Sequence, residues 1–246
     1  AFGALQTDWL QQHHQACFHA GNAFVLISGK FDDSTANYIH QQLSQIPVRK
    51  PAQAPGLQVQ DNMPSTLRMT HPEGGQAAIR IGRRLFNRSH PDANGLYVLT
   101  QLLGGYFGSR LMENIREDKG YTYNISAAYD TLRFDGTFQI DTEVSTEYVD
   151  ATLKEVQREL RRLREELVSD DELQMVRNYL MGSFLTMVDG PFNWAETIRT
   201  LKAENLAVDQ LQALIATVQQ IQPAELQGLA QQYLREEDLW TVVVAP

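Results

Sequence analysis

The chain has 246 residues, of which 43% are hydrophobic and 21% charged, and it carries a formal charge of −9. This is ordinary globular material, and the acidic balance excludes a general nucleic-acid binder, which needs a basic footprint. The single cysteine, Cys17, excludes an internal disulfide and a cysteine-rich metal site, and no apolar run reaches the roughly 18 residues that span a bilayer.

The start, AFGALQTDW, has neither a methionine nor a basic-then-apolar leader, so Ala1 reads as a cut end. The composition suits a soluble protein of cytoplasm or periplasm. Residues 1–22 form a lead-in, with a helix expected over Asp8–Phe18. FVLISGKF, Phe24–Phe31, has the pattern of a strand. Asp32, Asp33 and Ser34 then offer an N-terminal cap to a helix running to about Gln45. The Pro/Gln-rich stretch Pro47–Pro64 reads as a surface connection. Strands are expected at Thr66–Thr70 and Gln76–Arg84, the second alternating at Ala77, Ile79 and Ile81 with Arg83 next in the series. Asn87–Pro91 is a turn, and a helix follows it to Leu103.

Beyond Tyr123, Tyr121–Tyr129 and Gly136–Val144 read as antiparallel neighbours joined through Asp130–Asp135. The next helix places Val149, Leu153, Val156, Leu160, Leu163 and Leu167 on one stripe, with most of its charges opposite. That stripe admits a coiled coil, but only about three heptads run before Ser169, which favours packing on a sheet. The arginines at 158, 161, 162 and 164 are interleaved with glutamates, as on a solvated face. Ser169-Asp-Asp-Glu172 is a capping box for a helix that ends before Gly190-Pro191. Helices over Phe192–Ala203, Asp209–Gln219 and Pro223–Leu234 precede a last strand, Leu239–Ala245. The order implies an α+β fold, helices packed on a mainly antiparallel sheet, as a single domain over residues 1–246.

Candidate sites are few. Gly104-Gly105-x-x-Gly108 lacks the order and the ending of a phosphate loop. His13, His14 and His19 are read as a surface helix edge rather than a metal site. Trp194 and Trp240 suit the core and Trp9 an interface. The informative run is LGGYFGSRLMENIREDKGYTY, Leu103–Tyr123, which reads as a glycine break, a short helix, a charged turn and a strand. It sets Arg116 seven residues before Tyr123. An arginine at a helix end and a tyrosine early in the next strand can converge on one groove. There they can hold a peptide carbonyl with the donor geometry that stabilises an oxyanion. A core tyrosine fits the pattern equally, since Tyr123 would share a strand face with Tyr121, Ile125, Ala127 and Tyr129.

SRLMENIREDKGYTY resembles the hallmark of the second half of insulinase/pitrilysin-type zinc peptidases, which include the mitochondrial processing peptidases. In that family the arginine of the RE pair and the tyrosine seven residues later bind substrate. The resemblance implies this role for Arg116 and Tyr123. GGYFGSRL also fits, with Gly104, Gly105, Gly108, Ser109 and Arg110 in place, whereas Tyr121 stands where relatives often have leucine. The resemblance extends weakly from about Thr7 to Val244 and is specific between about Arg80 and Tyr123. It implies the metallohydrolase-like fold of the halves of processing peptidases.

The catalytic half of such enzymes carries H-x-x-E-H on a helix, two histidines binding zinc and a glutamate serving as base. No two of the six histidines here lie four apart, and Asp92–Leu103, the corresponding segment, has neither histidine nor glutamate. No cofactor is therefore expected in this chain, zinc is expected in a partner half, and the chain alone is expected to be inactive. The resemblance implies a clamshell in which a zinc-bearing homologous half and this one close over an extended peptide. Two alternatives stay open: a structural subunit of the same family, and a free-standing peptide-binding module.

Overall fold

A strand buries every second side chain only if one face of its sheet is covered, and that alternation organises this molecule. The computed structural model describes residues 2–50 and 63–246. The chain divides into two compact units, Ala1–Asp61 with Asp189–Arg199, and Asn62–Val188 with Thr200–Pro246.

The smaller unit holds helices α1 (Thr7–Cys17) and α2 (Asp33–Leu43). Asp32 caps α2 as expected, its carboxylate accepting the Thr35 N–H at 2.8 Å and the Ser34 hydroxyl at 2.9 Å. These bonds, the Thr35 amide first, pull the Asp32 carboxyl down to about 2. Phe24–Phe31 does not form the expected strand. Its apolar residues, among them Phe24, Val25 and Phe31, are exposed. β-favouring residues do not suffice: among the described residues no strand pairs with this segment, and a strand without a neighbour leaves its backbone groups unpaired. His19 is not on a surface helix either: α1 ends at Cys17 and His19 is 3% exposed. Trp9 and Trp194 are both partly exposed, so Trp194 is not the core residue expected.

The larger unit contains, in order, β1 (Thr66–Thr70), β2 (Ala77–Leu85), α3 (Ala93–Thr100), β3 (Ile125–Thr131), β4 (Gly136–Val144), α4 (Val149–Glu165), α5 (Asp170–Met187), the end of α6 (Gly190–Ala203), α7 (Asp209–Gln220), α8 (Pro223–Tyr233) and β5 (Trp240–Ala245). Of the connection expected over Pro47–Pro64, residues 51–62 lie outside the described residues. Among the described residues the strands form one sheet in the order β1-β5-β2-β4-β3. β1 runs parallel to β5 and the other pairs are antiparallel, with Ile79 opposite both Thr142 and Val243.

Ala77, Ile79, Ile81, Phe138, Ile140, Val144, Ile125 and Ala127 point to the covered face and are buried. Residues between them, such as Arg80 and Glu143, are exposed. Arg83 keeps the inward phase because its guanidinium meets Asp238 at 2.9 Å and the Tyr233 carbonyl at 3.2 Å. Helices α3, α4, α7 and α8 supply the opposite layer through Leu96, Leu99, Val156, Leu160, Leu163, Val218 and Leu226. This is the expected α+β arrangement, and the α4 stripe packs into a core rather than a coiled coil. Leu167 departs from that stripe: α4 ends at Glu165, Glu166 is extended, and Leu167 is exposed.

Candidate functional site

Two short helical segments with π geometry, Gln101–Gly105 and Met112–Asp118, bracket the glycine break. Such wide turns are uncommon and recur at functional sites. Gly104 leaves helical conformation (φ −160°, ψ 15°) where a Cβ would come within 2.5 Å of the Ala127 backbone nitrogen on β3. Only glycine allows that approach.

The second segment is held by polar anchors. Arg110, at its start, grips Glu172 of α5 with two bonds of 2.6 and 2.8 Å. Glu172 thus completes only half of the expected capping box: its N–H reaches Ser169 Oγ at 3.2 Å while its carboxylate serves Arg110. Asn114 Nδ2 donates to Glu159 Oε1 at 2.7 Å and to Glu155 Oε2 at 3.2 Å on α4. Glu159 is 1% exposed and also accepts from Arg162 Nη1 at 3.1–3.2 Å. It belongs to the buried stripe, not to the charged face. The segment ends as Gly120 turns into the left-handed region (φ 66°), with the Gly120 and Tyr121 amides bonded to the Arg116 and Ile115 carbonyls.

Arg116 sits near the end of this clamped segment. Its guanidinium lies 4.6 Å over the Phe107 ring, and its Nε is 3.6 Å from the Glu117 carboxylate. Tyr123 does not lie within a strand, because β3 begins at Ile125 rather than Tyr121. The Thr122 hydroxyl, 2.7 Å from the Glu143 carbonyl and accepting the Asn124 N–H at 3.2 Å, takes over the bonding of the ladder there. The turn throws Tyr123 outward. At 89% exposure it is not a core tyrosine.

Arg116 and Tyr123 line one cavity of about 440 Å³, together with Glu117, Tyr121, Ser145 and Tyr148. Tyr123 also borders a second cavity of about 590 Å³ over the open face of the sheet, edged by Asp141 and Glu143. The pair therefore offers a phenol donor and a guanidinium to one opening. Phe107, Asn114, Tyr148, Glu155 and Glu159 are parts of this arrangement that sequence reasoning missed. Of these only Glu159 left a trace, lying three residues beyond Val156 in the phase of the apolar stripe.

No metal fits here. Asp92–Leu103 places Ala93, Leu96, Val98 and Leu99 in the core, and among the described residues no group of three or more His, Cys, Asp or Glu could hold an ion. A family model described as the Peptidase M16 inactive domain matches residues 4–180. The chain belongs to that family. It is the non-zinc second half that the hallmark pointed to. The M16 inactive domain is 22% identical over 183 residues to a Bacillus subtilis protein named as the uncharacterised zinc protease YmxG, spanning 74% of this chain and 44% of the relative. It is 24% identical to the Helicobacter pylori non-peptidase homologue YmxG, spanning 73% and 41%. A solved peptidase M16 inactive domain from Pseudomonas fluorescens superposes with a TM-score of 0.87 at 23% identity, over 99% of this chain and 58% of that one. That likeness shows the fold. The chain thus spans less than half of each curated relative it matches, and no helix among the described residues is long and apolar enough to cross a membrane.

Proposed function

We propose that this M16 inactive domain is the substrate-positioning half of a two-part zinc peptidase or peptidase homologue. It clamps an extended polypeptide, partly as an added strand, and presents Arg116 and Tyr123 to the carbonyl that a zinc-bearing homologous half attacks. The observation that carries this reading is the shared opening: a half-buried arginine and an almost fully exposed tyrosine, on either side of a glycine turn, border one cavity. Hydrolysis itself belongs to the zinc-bearing half. This chain's share is geometry: a phenol and a guanidinium that border one opening donate hydrogen bonds to an oxygen as its negative charge develops.

A non-catalytic peptide-binding or structural subunit is the second reading, favoured by the domain's description as inactive and by the name of the Helicobacter pylori relative. Reconstitution separates the two. The chain is mixed with a zinc-bearing M16 half, and cleavage of a fluorogenic peptide is followed with the parent, Arg116→Ala and Tyr123→Phe. Turnover that depends on the pair supports the first reading. Peptide binding without turnover under zinc saturation supports the second.

A further inference from the structure

The cavity holding Arg116 and Tyr123 has a wall that the oxyanion reading leaves unused. Tyr121 and Tyr148 stack there with ring centroids 4.7 Å apart and planes 13° from parallel. The rings come from distant segments, Tyr121 from the approach to β3 and Tyr148 from the 3-10 turn Thr146–Tyr148 before α4. Tyr121 packs against the core and Tyr148 is 36% exposed, so the stack is anchored at one ring and open at the other.

Two kinds of substrate side chain could use an aromatic wall, a cation or another ring. Charge decides between them. The fixed charges of the cavity are Arg116 and Glu117, which lie 3.6 Å apart and cancel. A substrate lysine would lose water beside Arg116 and gain no net attraction. The acidity of the whole chain does not reach into this cavity as an excess of carboxylates. A ring meets no such penalty, and an offset parallel stack is an arrangement aromatic side chains favour. Gln76 and Ser145, on the same lining, can partner a tyrosine hydroxyl or an indole N–H.

We propose that Tyr121 and Tyr148 form a subsite for an aromatic side chain, Phe, Tyr or Trp, of the extended peptide, beside the carbonyl assigned to Arg116 and Tyr123. This deepens the peptide-positioning reading and rests on it. The subsite selects the residue; the pair orients the backbone.

The test is equilibrium binding to the full 246-residue chain by fluorescence anisotropy. The probes are dye-labelled peptides of one small-residue frame, with Phe, Leu, Lys or Ala scanned along it. At one position the Phe peptide should bind about twofold to tenfold tighter than the Leu peptide, the range that ring stacking adds to burial, and Lys no tighter than Ala. Tyr121→Leu combined with Tyr148→Leu should erase the Phe-over-Leu preference. The paired Tyr→Phe variants, which keep both rings and the packing of Tyr121, should retain it. Equal affinity for Phe and Leu peptides in the parent, or a preference for Lys, overturns the subsite and leaves the peptide-positioning reading standing. Absence of binding to every peptide overturns both.

Discussion

Replacing Tyr123 by phenylalanine removes one oxygen and keeps the ring, and the structure makes the two consequences separable. The residue is 89% exposed, and its hydroxyl has no hydrogen-bond partner among the described residues. A change at such a place shifts folding by no more than about 0.5 kcal/mol, about 2 °C in Tm for a chain of this size. In the reconstituted enzyme the same oxygen is proposed to donate to a developing oxyanion. Losing one such donor costs about 3–4 kcal/mol, or roughly 100- to 1,000-fold in rate. The assay is cleavage of a quenched fluorogenic peptide with the zinc-bearing half at saturation, kcat and KM resolved separately, beside a thermal melt of the isolated chain. A loss in kcat with little change in KM marks a group that acts only in the transition state; a raised KM with kcat intact marks ordinary binding. Arg116→Ala should fall in the same direction but is the less clean probe, because it also removes the contact over Phe107, about 0.5–1 kcal/mol at an exposed site. A Tyr123→Phe enzyme whose kcat stays within twofold of the parent, with Tm unchanged, refutes the oxyanion role.

Three further outcomes follow from the geometry. After chelator treatment and zinc reloading, metal analysis of this chain alone should find no stoichiometric zinc; one tightly held ion per chain contradicts the assignment to the non-metal half. Gly104→Ala drives a Cβ to 2.5 Å from the Ala127 nitrogen and 2.7 Å from its Cβ, so overpacking should cost about 1–3 kcal/mol. A melt with no drop in Tm shows instead that β3 yields freely. Burial works to raise the Glu155 carboxyl, but the Asn114 N–H and then Lys119 and Arg158 outweigh it and hold the group below its usual value. A lowered folded pKa gives stabilisation that is present above the ordinary glutamate pKa of about 4.3 and lost as pH falls through the folded value. Amides of Met112–Asp118 should accordingly lose exchange protection in acid, after correction for intrinsic rates, and Glu155→Gln should remove that pH dependence. Parent protection that is flat from neutral pH to pH 3 counts against the anchor.

Much of the fold was legible because it rests on periodicities. Ala77, Ile79 and Ile81 announce a covered sheet face, Val156, Leu160 and Leu163 a covered helix face, and Asp32 and Ser169 the starts of two helices. Phe24–Phe31 is instead a run of β-favouring residues without alternation, and it forms no strand, since residue preference cannot supply the neighbour that a ladder requires. The π geometry of Met112–Asp118 has no residue signature, being a choice of hydrogen-bond register. It was legible only as helix. Tyr121 and Tyr123 read as strand because their alternation continues into Ile125 and Ala127, but the Thr122 hydroxyl is bonded to the backbone at Glu143 and Asn124, and the ladder stops at Ile125, four residues short of Tyr121. The Arg116–Tyr123 spacing was visible from the start. Tyr148 and Phe107 were not, because what makes them part of the site is a contact across sequence.

The proposed working surface and its support obey opposite economies. Tyr123 is solvated and unpaired, so holding it ready costs the fold almost nothing. The Met112–Asp118 segment is fixed by buried polar contacts, where a single N–H of Asn114 faces the almost fully buried Glu159. Such a contact adds little net stability, because both groups gave up water to make it. Its loss is costly all the same, since Asn114→Ala would leave a buried carboxylate short of a donor. Apolar packing alone could seat the segment on α4, but apolar contacts are non-directional and would tolerate rotation of a π turn. The bonds to Glu155, Glu159 and Glu172 are directional. They fix the azimuth of the turn and hence the direction in which Arg116 leaves it. On the proposed function the polar clamp is thus a positioning device: its energetic return is small, and what it secures is the direction of one guanidinium toward the cavity it lines with Tyr123.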